Sequence, residues 1–337
     1  MGLFSRLFKK KNPEVPPTPI IIVKPPEPTP VPPTPTSPVN PNWLTVVGNK
    51  IVDKTGKQVI LKGLNIADPE QLDVKSWERP GLSASIIANK AVALGAKVIR
   101  LPILPGNSSY PKEGFLNKLN GYDIYFNYHI LPLVKELTDK GVYVIIDLHY
   151  VQDYSNLSDK VTEFWTYMAP KFKDNPLVLY EIFNEPINPD NWATWKKLAQ
   201  PTVNLIRSLA PNNLILVGGP YWSSHISGAV GDPIEGSNIV YVAHIYSNQP
   251  SSVWEQRYGG VAKKYPLFVT EWGFESGGTE GGDIKWGQDI ANWLTYNNIS
   301  WTVWCYDTQW GPRMVDDKWN LRPSPGGMGM FVSELFK

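Results

Sequence analysis

Two glutamates carry the strongest chemical signal in this 337-residue sequence: Glu185, inside Asn184-Glu185-Pro186, and Glu271, inside Thr270-Glu271-Trp272-Gly273. Each closes an apolar run of strand length, so a fold that gathers strand ends would bring the two carboxylates together. Such a pair suits cleavage of a glycosidic bond, in which one carboxyl protonates the leaving oxygen while the other attacks or assists at the anomeric carbon. An acid that keeps its proton near neutrality needs its pKa raised from about 4.3 to about 6, roughly 2.3 kcal/mol at 1.36 kcal/mol per unit. Burial and a neighbouring negative charge supply that rise, and the value falls again once the other carboxylate is consumed as an ester.

The elements that must position this pair are read from hydrophobic periodicity. A hairpin is expected first, over 44–47 and 51–52 with a turn at Gly48-Asn49. Eight apolar runs follow, at 59–66, 96–104, 142–149, 178–185, 214–218, 239–246, 267–272 and 300–306, separated by stretches with helical spacing. Near-continuous apolar strands alternating with helices predict an α/β fold, a (β/α)8 TIM barrel, with an open doubly wound sheet as the alternative. The first long run is followed by Asn65-Ile66-Ala67-Asp68 and not by G-x-G-x-x-G, and no G-x-x-x-x-G-K-[ST] occurs, so nucleotide-binding readings lose their support. A barrel builds its active site at the C-terminal ends of its strands. Those ends carry Arg100, Asp147 with His149, Glu185, His244 with Tyr246, Glu271 and Trp304; two of only four histidines fall there.

Composition excludes several classes. Lys plus Arg number 32 against 31 Asp plus Glu, so no nucleic-acid partner is expected. A single cysteine, Cys305, forms no internal disulfide, no Cys/His cluster has zinc spacing, and no cofactor or metal is expected. No apolar run approaches the roughly 20 residues of a membrane span. Twelve of the 32 prolines precede residue 40, so a Pro/Thr-rich, extended and disordered linker is expected over 12–41, with the folded domain over 42–337. Residues 1–11 read as a short basic amphipathic segment: Leu3, Phe4, Leu7 and Phe8 share a helical face opposite Arg6 and Lys9 to Lys11, which suits weak membrane or surface docking. The apolar part is too short and interrupted for a signal peptide.

The strings Ile182-Phe183-Asn184-Glu185-Pro186, His244-Ile245-Tyr246 and Val269-Thr270-Glu271-Trp272-Gly273, with Arg100, His149 and Trp304 at strand ends, together resemble glycoside hydrolase family 5, the cellulase family A of the retaining clan A barrels. The hairpin followed by Leu61-Lys62-Gly63-Leu64-Asn65 is similar to the family's usual start, so the resemblance covers 43 to about 335. It implies Glu185 as acid/base and Glu271 as nucleophile. It further implies Asn184 as donor to a sugar 2-hydroxyl, Arg100 as the cation beside the nucleophile, and His149 as a ligand of sugar hydroxyls. His244 and Tyr246 would orient the glutamates, and Trp304 would stack under the sugar at the cleavage point. Physical chemistry agrees: Asn and His donors strengthen as charge develops at the anomeric carbon, and an Arg beside a carboxylate lowers its pKa. Glu181 is a second possible partner for Arg100.

Trp165, Trp192, Trp195, Trp286 and Trp293 fit helical faces and are expected to pack. Trp222, Trp272, Trp310 and Trp319 fall at strand ends or in loops, where flat rings can stack on sugars, and are expected at flanking subsites. The expected activity is endo-β-1,4-glucanase, hydrolysing a β-1,4-linked polysaccharide by double displacement. The alternatives are an endo-β-1,4-mannanase or other β-glycanase on the same site, or a non-catalytic polysaccharide-binding barrel. The protein is expected to act as a monomer, extracellular or surface-tethered.

Overall fold

Side-chain alternation along the apolar runs separates two cores, and the boundary between them is the barrel wall. The computed structural model describes residues 43–74, 82–106, 114–117, 122–278 and 281–337. The expected docking segment 1–11 and linker 12–41 lie outside those residues. A hairpin of β1 (Thr45–Val47) and β2 (Lys50–Val52) turns through Gly48 at φ 60°. Then come β3 (Lys62–Asn65), β4 (Val98–Ile103), β5 (Tyr143–Leu148), β6 (Val151–Gln152), β7 (Val178–Glu181), β8 (Glu185–Pro186), β9 (Ile215–Val217), β10 (Ile239–Tyr246), β11 (Leu267–Gly273) and β12 (Ser300–Val303). Eight of these close a parallel barrel in the order β3-β4-β5-β7-β9-β10-β11-β12, and β12 returns to β3; the expected (β/α)8 TIM barrel is what forms.

Helices fill most crossovers, among them Ala84–Ala93, Leu131–Asp139, Ser158–Met168, Trp192–Leu209 and Ile284–Tyr296. Several start on a side chain that accepts an otherwise unpaired amide: Asn191 from Thr194 and Asp283 from Trp286, both at 2.9 Å. The β9–β10 crossover differs, with only the short Pro220–Ser223 helix and a 3-10 turn at Ser227–Val230 among the described residues. Trp165 and Trp195 pack as expected, and their indole N–H groups also donate to Ile182 O and Gly218 O at two strand ends. No described helix is long and apolar enough to cross a membrane.

Inside the barrel, Val98, Ile145, Leu179, Leu216, Val240, Val242 and Phe268 form one apolar cluster, closed from below by Leu44 and Ile51 of the hairpin segment. Outward residues such as Ile99, Ile146, Tyr180 and Val269 join the larger cluster beneath the helices. Two residues further along four of these strands, the inward positions become Arg100, Asp147, Glu181 and His244. The lumen is thus apolar at its base and charged at its C-terminal mouth.

Two strands depart from simple alternation where the chemistry sits. The 178–185 run leaves the barrel after Glu181; Asn184 and Glu185 instead donate their amides to Leu148 O and Tyr150 O, and Glu185 pairs in the separate β6–β8 ribbon. In β11 the register slips, Ala243 facing Val269 but His244 facing Glu271, so Thr270 is an extra residue. Unbroken alternation from the inward Phe268 would turn Glu271 outward and Trp272 inward. The bulge reverses them.

Gly63 marks the tightest strand approach. A Cβ there would sit 1.8 Å from Val98 O and 2.6 Å from its Cγ1, which only backbone movement relieves. Gly63→Ala is expected to lower unfolding stability by about 3 kcal/mol; urea denaturation with an unchanged midpoint would refute this reading of the β3–β4 contact.

Candidate active site

The mouth of the barrel is organised around Arg100, which is fully buried on β4. Its Nε and Nη2 donate to Glu181 at 2.7 and 3.0 Å, and Nη2 also donates to Asn184 Oδ1 at 2.7 Å. Nη1 donates to Glu271 Oε1 at 2.8 Å and to Asn65 Oδ1 at 3.0 Å; Asp147 Oδ2 lies 3.0 Å from Nη2. One guanidinium therefore holds three carboxylates from three strands. Burial alone would discharge the arginine, but Asp147, Glu181 and Glu271 outweigh it and raise its pKa.

The carboxylates respond differently. Burial would raise Glu181, yet Arg100 and then His244 hold it down at about 2. Burial would likewise raise Glu271, but His244, then Arg100, lower it, with help from Tyr246, whose hydroxyl donates to Glu271 Oε2 at 2.6 Å. For Asp147, burial wins over Arg100 and His149 and its pKa is raised; Oδ1 has no hydrogen-bond partner among the described residues. Asp147 Oδ2 takes His149 Nδ1 at 2.6 Å, which leaves Nε2 as the free nitrogen.

His244 bridges the pair. Its Nδ1 lies 2.8 Å from Glu185 Oε1 and 3.5 Å from Glu271 Oε2. Burial opposes its charge, but Glu271, Glu181 and Glu185 push its pKa up to about 10. One oxygen of each glutamate and a ring nitrogen of His244 lie within 4.8 Å of one another. These three groups are close enough to ligate a divalent cation, yet a ligand role would first require His244 to lose a strongly held proton.

Cavities open on both sides of this cluster. One, of about 530 Å³, is lined by Glu185, Tyr221, Trp222, Tyr246 and Arg257; the other, of about 270 Å³, by Leu104, His149, Gln152, Trp304 and Trp310. Trp304 is nearly parallel to His149 (5.3 Å, 5°) and to Trp310 (5.6 Å, 15°). The loop after β12 fixes Trp310: Asp307 Oδ2 accepts its amide at 2.8 Å, and Glu275 accepts the amide of Arg313 and pairs with Arg322. On the opposite wall Tyr221, Trp222 and Ser223 all have left-handed φ, 57°, 56° and 52°, a costly backbone for three side-chain-bearing residues. It leaves Trp222 38% exposed, with Tyr221 stacked on His225, which pairs with Asp190.

Arg100, His149, Asn184, Glu185, His244, Tyr246, Glu271 and Trp304 are therefore brought together, and Trp222 and Trp310 line the flanking cavities. Trp272 is not part of the site. It is fully buried and packs edge-on against Trp301 at 5.5 Å, because the β11 bulge that turns Glu271 inward turns Trp272 toward the helices. Trp319 packs on Tyr306 at 5.9 Å. Sequence reasoning gave no role to Asp147, although its two-residue spacing from His149 was a usable signal, and missed Thr270 and Arg257, for which the sequence carries none.

The depressed Glu181 has a consequence for stability. Its folded value, about 2, lies below the ordinary carboxylate value of 4.5, so its contribution is complete above about pH 4.5 and is lost as pH falls through about 2. Arg100→Met should remove this acid dependence and cost about 3–5 kcal/mol at neutral pH, by leaving buried carboxylates unpaired. Melting temperatures from pH 7 down to 2 test both points; a wild-type profile that stays flat below pH 4.5 contradicts the assignment.

Known proteins resemble this chain in sequence and fold. The model of the cellulase family, glycosyl hydrolase family 5, matches residues 52–309. An endoglucanase of Clostridium saccharobutylicum is 29% identical over 267 residues, covering 77% of this chain and 56% of that protein, so the chain spans little more than half of that relative. Cellulase CelDZ1 of a Thermoanaerobacterium species is 29% identical over 290 residues, covering 76% of this chain and 70% of the relative. Among solved structures, the β-glucanase SdGluc5_26A of Saccharophagus degradans superposes with a TM-score of 0.75 at 27% identity, covering 88% of this chain and 94% of that one. With the matched region enclosing Arg100, the Asn184-Glu185-Pro186 string, His244 and Glu271, the chain belongs to glycosyl hydrolase family 5.

Proposed function

We propose that the protein is a retaining endo-β-1,4-glucanase, and the observation that carries this reading is the pair of glutamates that share His244, one oxygen of each within 4.8 Å of the other, in unlike surroundings. Retaining glycosidases hold their carboxyl groups about 5–5.5 Å apart, whereas inverting ones need about 6.5–9.5 Å to admit a water. Glu271, kept ionised by His244 and Arg100, is the nucleophile. Glu185, bordering the larger cavity, is the acid. In the first step Glu271 forms a bond to the anomeric carbon as the glycosidic C–O bond breaks, and the proton of Glu185 passes to the leaving oxygen. In the second, Glu185 takes a proton from water, the hydroxide oxygen bonds to the anomeric carbon, and the ester to Glu271 breaks.

Asn184 spends its carbonyl on Arg100, which leaves its NH2 free to donate to a sugar hydroxyl. His149, Trp304 and Trp310 offer a glycone wall, and Trp222 an aglycone platform. A glucan as substrate is supported by the relatives named endoglucanase or cellulase and by the S. degradans β-glucanase, which has a structure in complex with cellotetraose. A polymeric substrate and the Pro-rich 12–41 segment support action outside the cell, as a monomer free or tethered through 1–11.

Glu271→Ala is expected to lower turnover about 10⁴-fold or more, with azide restoring it and inverting the product. Glu185→Ala should lose about 10²–10⁴-fold on glucan but far less on activated aryl glycosides; equal losses would contradict its acid role. Chain-length analysis on carboxymethyl-cellulose, barley β-glucan, galactomannan and xylan tests the substrate. Rapid shortening of glucan is expected, and cleavage of mannan alone would overturn the glucanase reading.

A further inference from the structure

Donor and acceptor capacity fixes one chain of hydrogen bonds in the site. Glu181 receives two N–H groups from Arg100, and both its oxygens act as acceptors. Thr270 Oγ1 lies 2.9 Å from Glu181 Oε1 and must donate its single proton there. The Thr270 oxygen then has only lone pairs to offer His244 Nε2, 3.0 Å away, so Nε2 must carry a proton. Nothing in the family-level roles uses Thr270, and it is the extra residue of the β11 bulge, a device that re-aims side chains next to active sites. Its backbone is fixed as well, since Asn65 Nδ2 donates to Thr270 O at 2.9 Å.

We propose that Thr270 is a positioning residue for the acid step: it pins one proton of His244 on Nε2 and holds the ring as an imidazolium, whose Nδ1–H occupies Glu185 Oε1 and leaves the transferable proton on Oε2. His244 then keeps both protons through the cycle and competes for neither Glu185's proton nor the leaving oxygen. The groups facing the ring are consistent with that charge. Glu181 from β7 and Glu271 from β11 set negative charge beside it, and Glu185 from β8 offers an acceptor oxygen. The Arg100 guanidinium is already engaged by Asp147, Glu181 and Glu271, His149 Nδ1 is bonded to Asp147, and the Tyr246 hydroxyl points to Glu271. Tyr258 reaches only the backbone oxygen of His244. The pKa of His244, pushed up to about 10, agrees with this balance.

The proposal rests on Glu185 and Glu271 as the catalytic pair, and the test has one arm that depends on activity and one that does not. Thr270→Val keeps the shape and removes the hydroxyl; Thr270→Ser restores it. Without the Nε2 acceptor the imidazolium is less favoured, so the pH at which His244 gives up its second proton should fall by about one unit in a nitrogen-15 titration of Thr270→Val, with kcat on glucan lowered, and serine should return both. An activity loss in Thr270→Val with the His244 titration unmoved, or a serine variant that behaves like valine, overturns the proposal. The second arm is nitrogen-15 NMR of the imidazoles in the wild-type protein at pH 7, with His244 assigned by its absence in His244→Asn. Both ring nitrogens of His244 are expected to be protonated; an unprotonated Nε2 overturns the proposal, whether or not Thr270→Val folds and whichever glycan proves to be the substrate.

Discussion

A guanidinium with no access to water is tolerated only where anions and acceptors occupy its donors, and Arg100 satisfies that condition by gathering Asp147, Glu181 and Glu271 at once. The condition works in both directions. Each carboxylate is buried and would be driven to protonate without the shared cation. Glu271 is thereby held as an anion with one oxygen on Arg100 and the other on Tyr246, so its position and its charge have the same origin. Asn65 and Asn184 complete the arginine's hydrogen bonds from β3 and from the segment leading into β8. Loss of any one strand end would leave charge stranded in the mouth, which ties the integrity of the site to closure of the barrel.

Around this fixed centre the two walls are built differently. The wall after β12 is a long loop fastened through Glu275 and Asp307, and it sets Trp310 nearly parallel to Trp304 and His149. The opposite wall holds Tyr221 and Trp222 in left-handed backbone, a conformation that bulky residues adopt only when their surroundings enforce it. Ser223 Oγ, bonded to Asn184 O at 2.7 Å, ties that strained turn to the residue beside Glu185. The turn that carries Trp222 and the segment that carries Glu185 therefore share a support.

The β11 bulge is the second decision on which the site turns. A single extra residue, Thr270, brings two successive side chains into the mouth and sends Trp272 into the core. It also completes the path from Glu185 through His244 and Thr270 to Glu181 and to Arg100, which in turn holds Glu271.

The barrel was legible because burial on both faces leaves an apolar run that survives in one dimension, and the eight runs and their intervening helical spacings have that form. The paired glutamates, Arg100, both histidines and Asn184 were legible because polar residues at the ends of such runs are conspicuous, and Glu181 because it lies four residues before Glu185. What only the tertiary structure decided is where strands stop alternating. The 178–185 run peels into a separate ribbon after Glu181, and β11 bulges at Thr270; both depend on which neighbouring carbonyls are in reach, a property of strands far apart in sequence. Trp272 was misplaced for that reason, since its place at a strand end was evident but its side of the wall was not. Residue types and their order thus determined the fold class and most of the candidate site. The register between non-adjacent strands decided which way each side chain faces, and with it the geometry that gives two neighbouring carboxylates unlike surroundings.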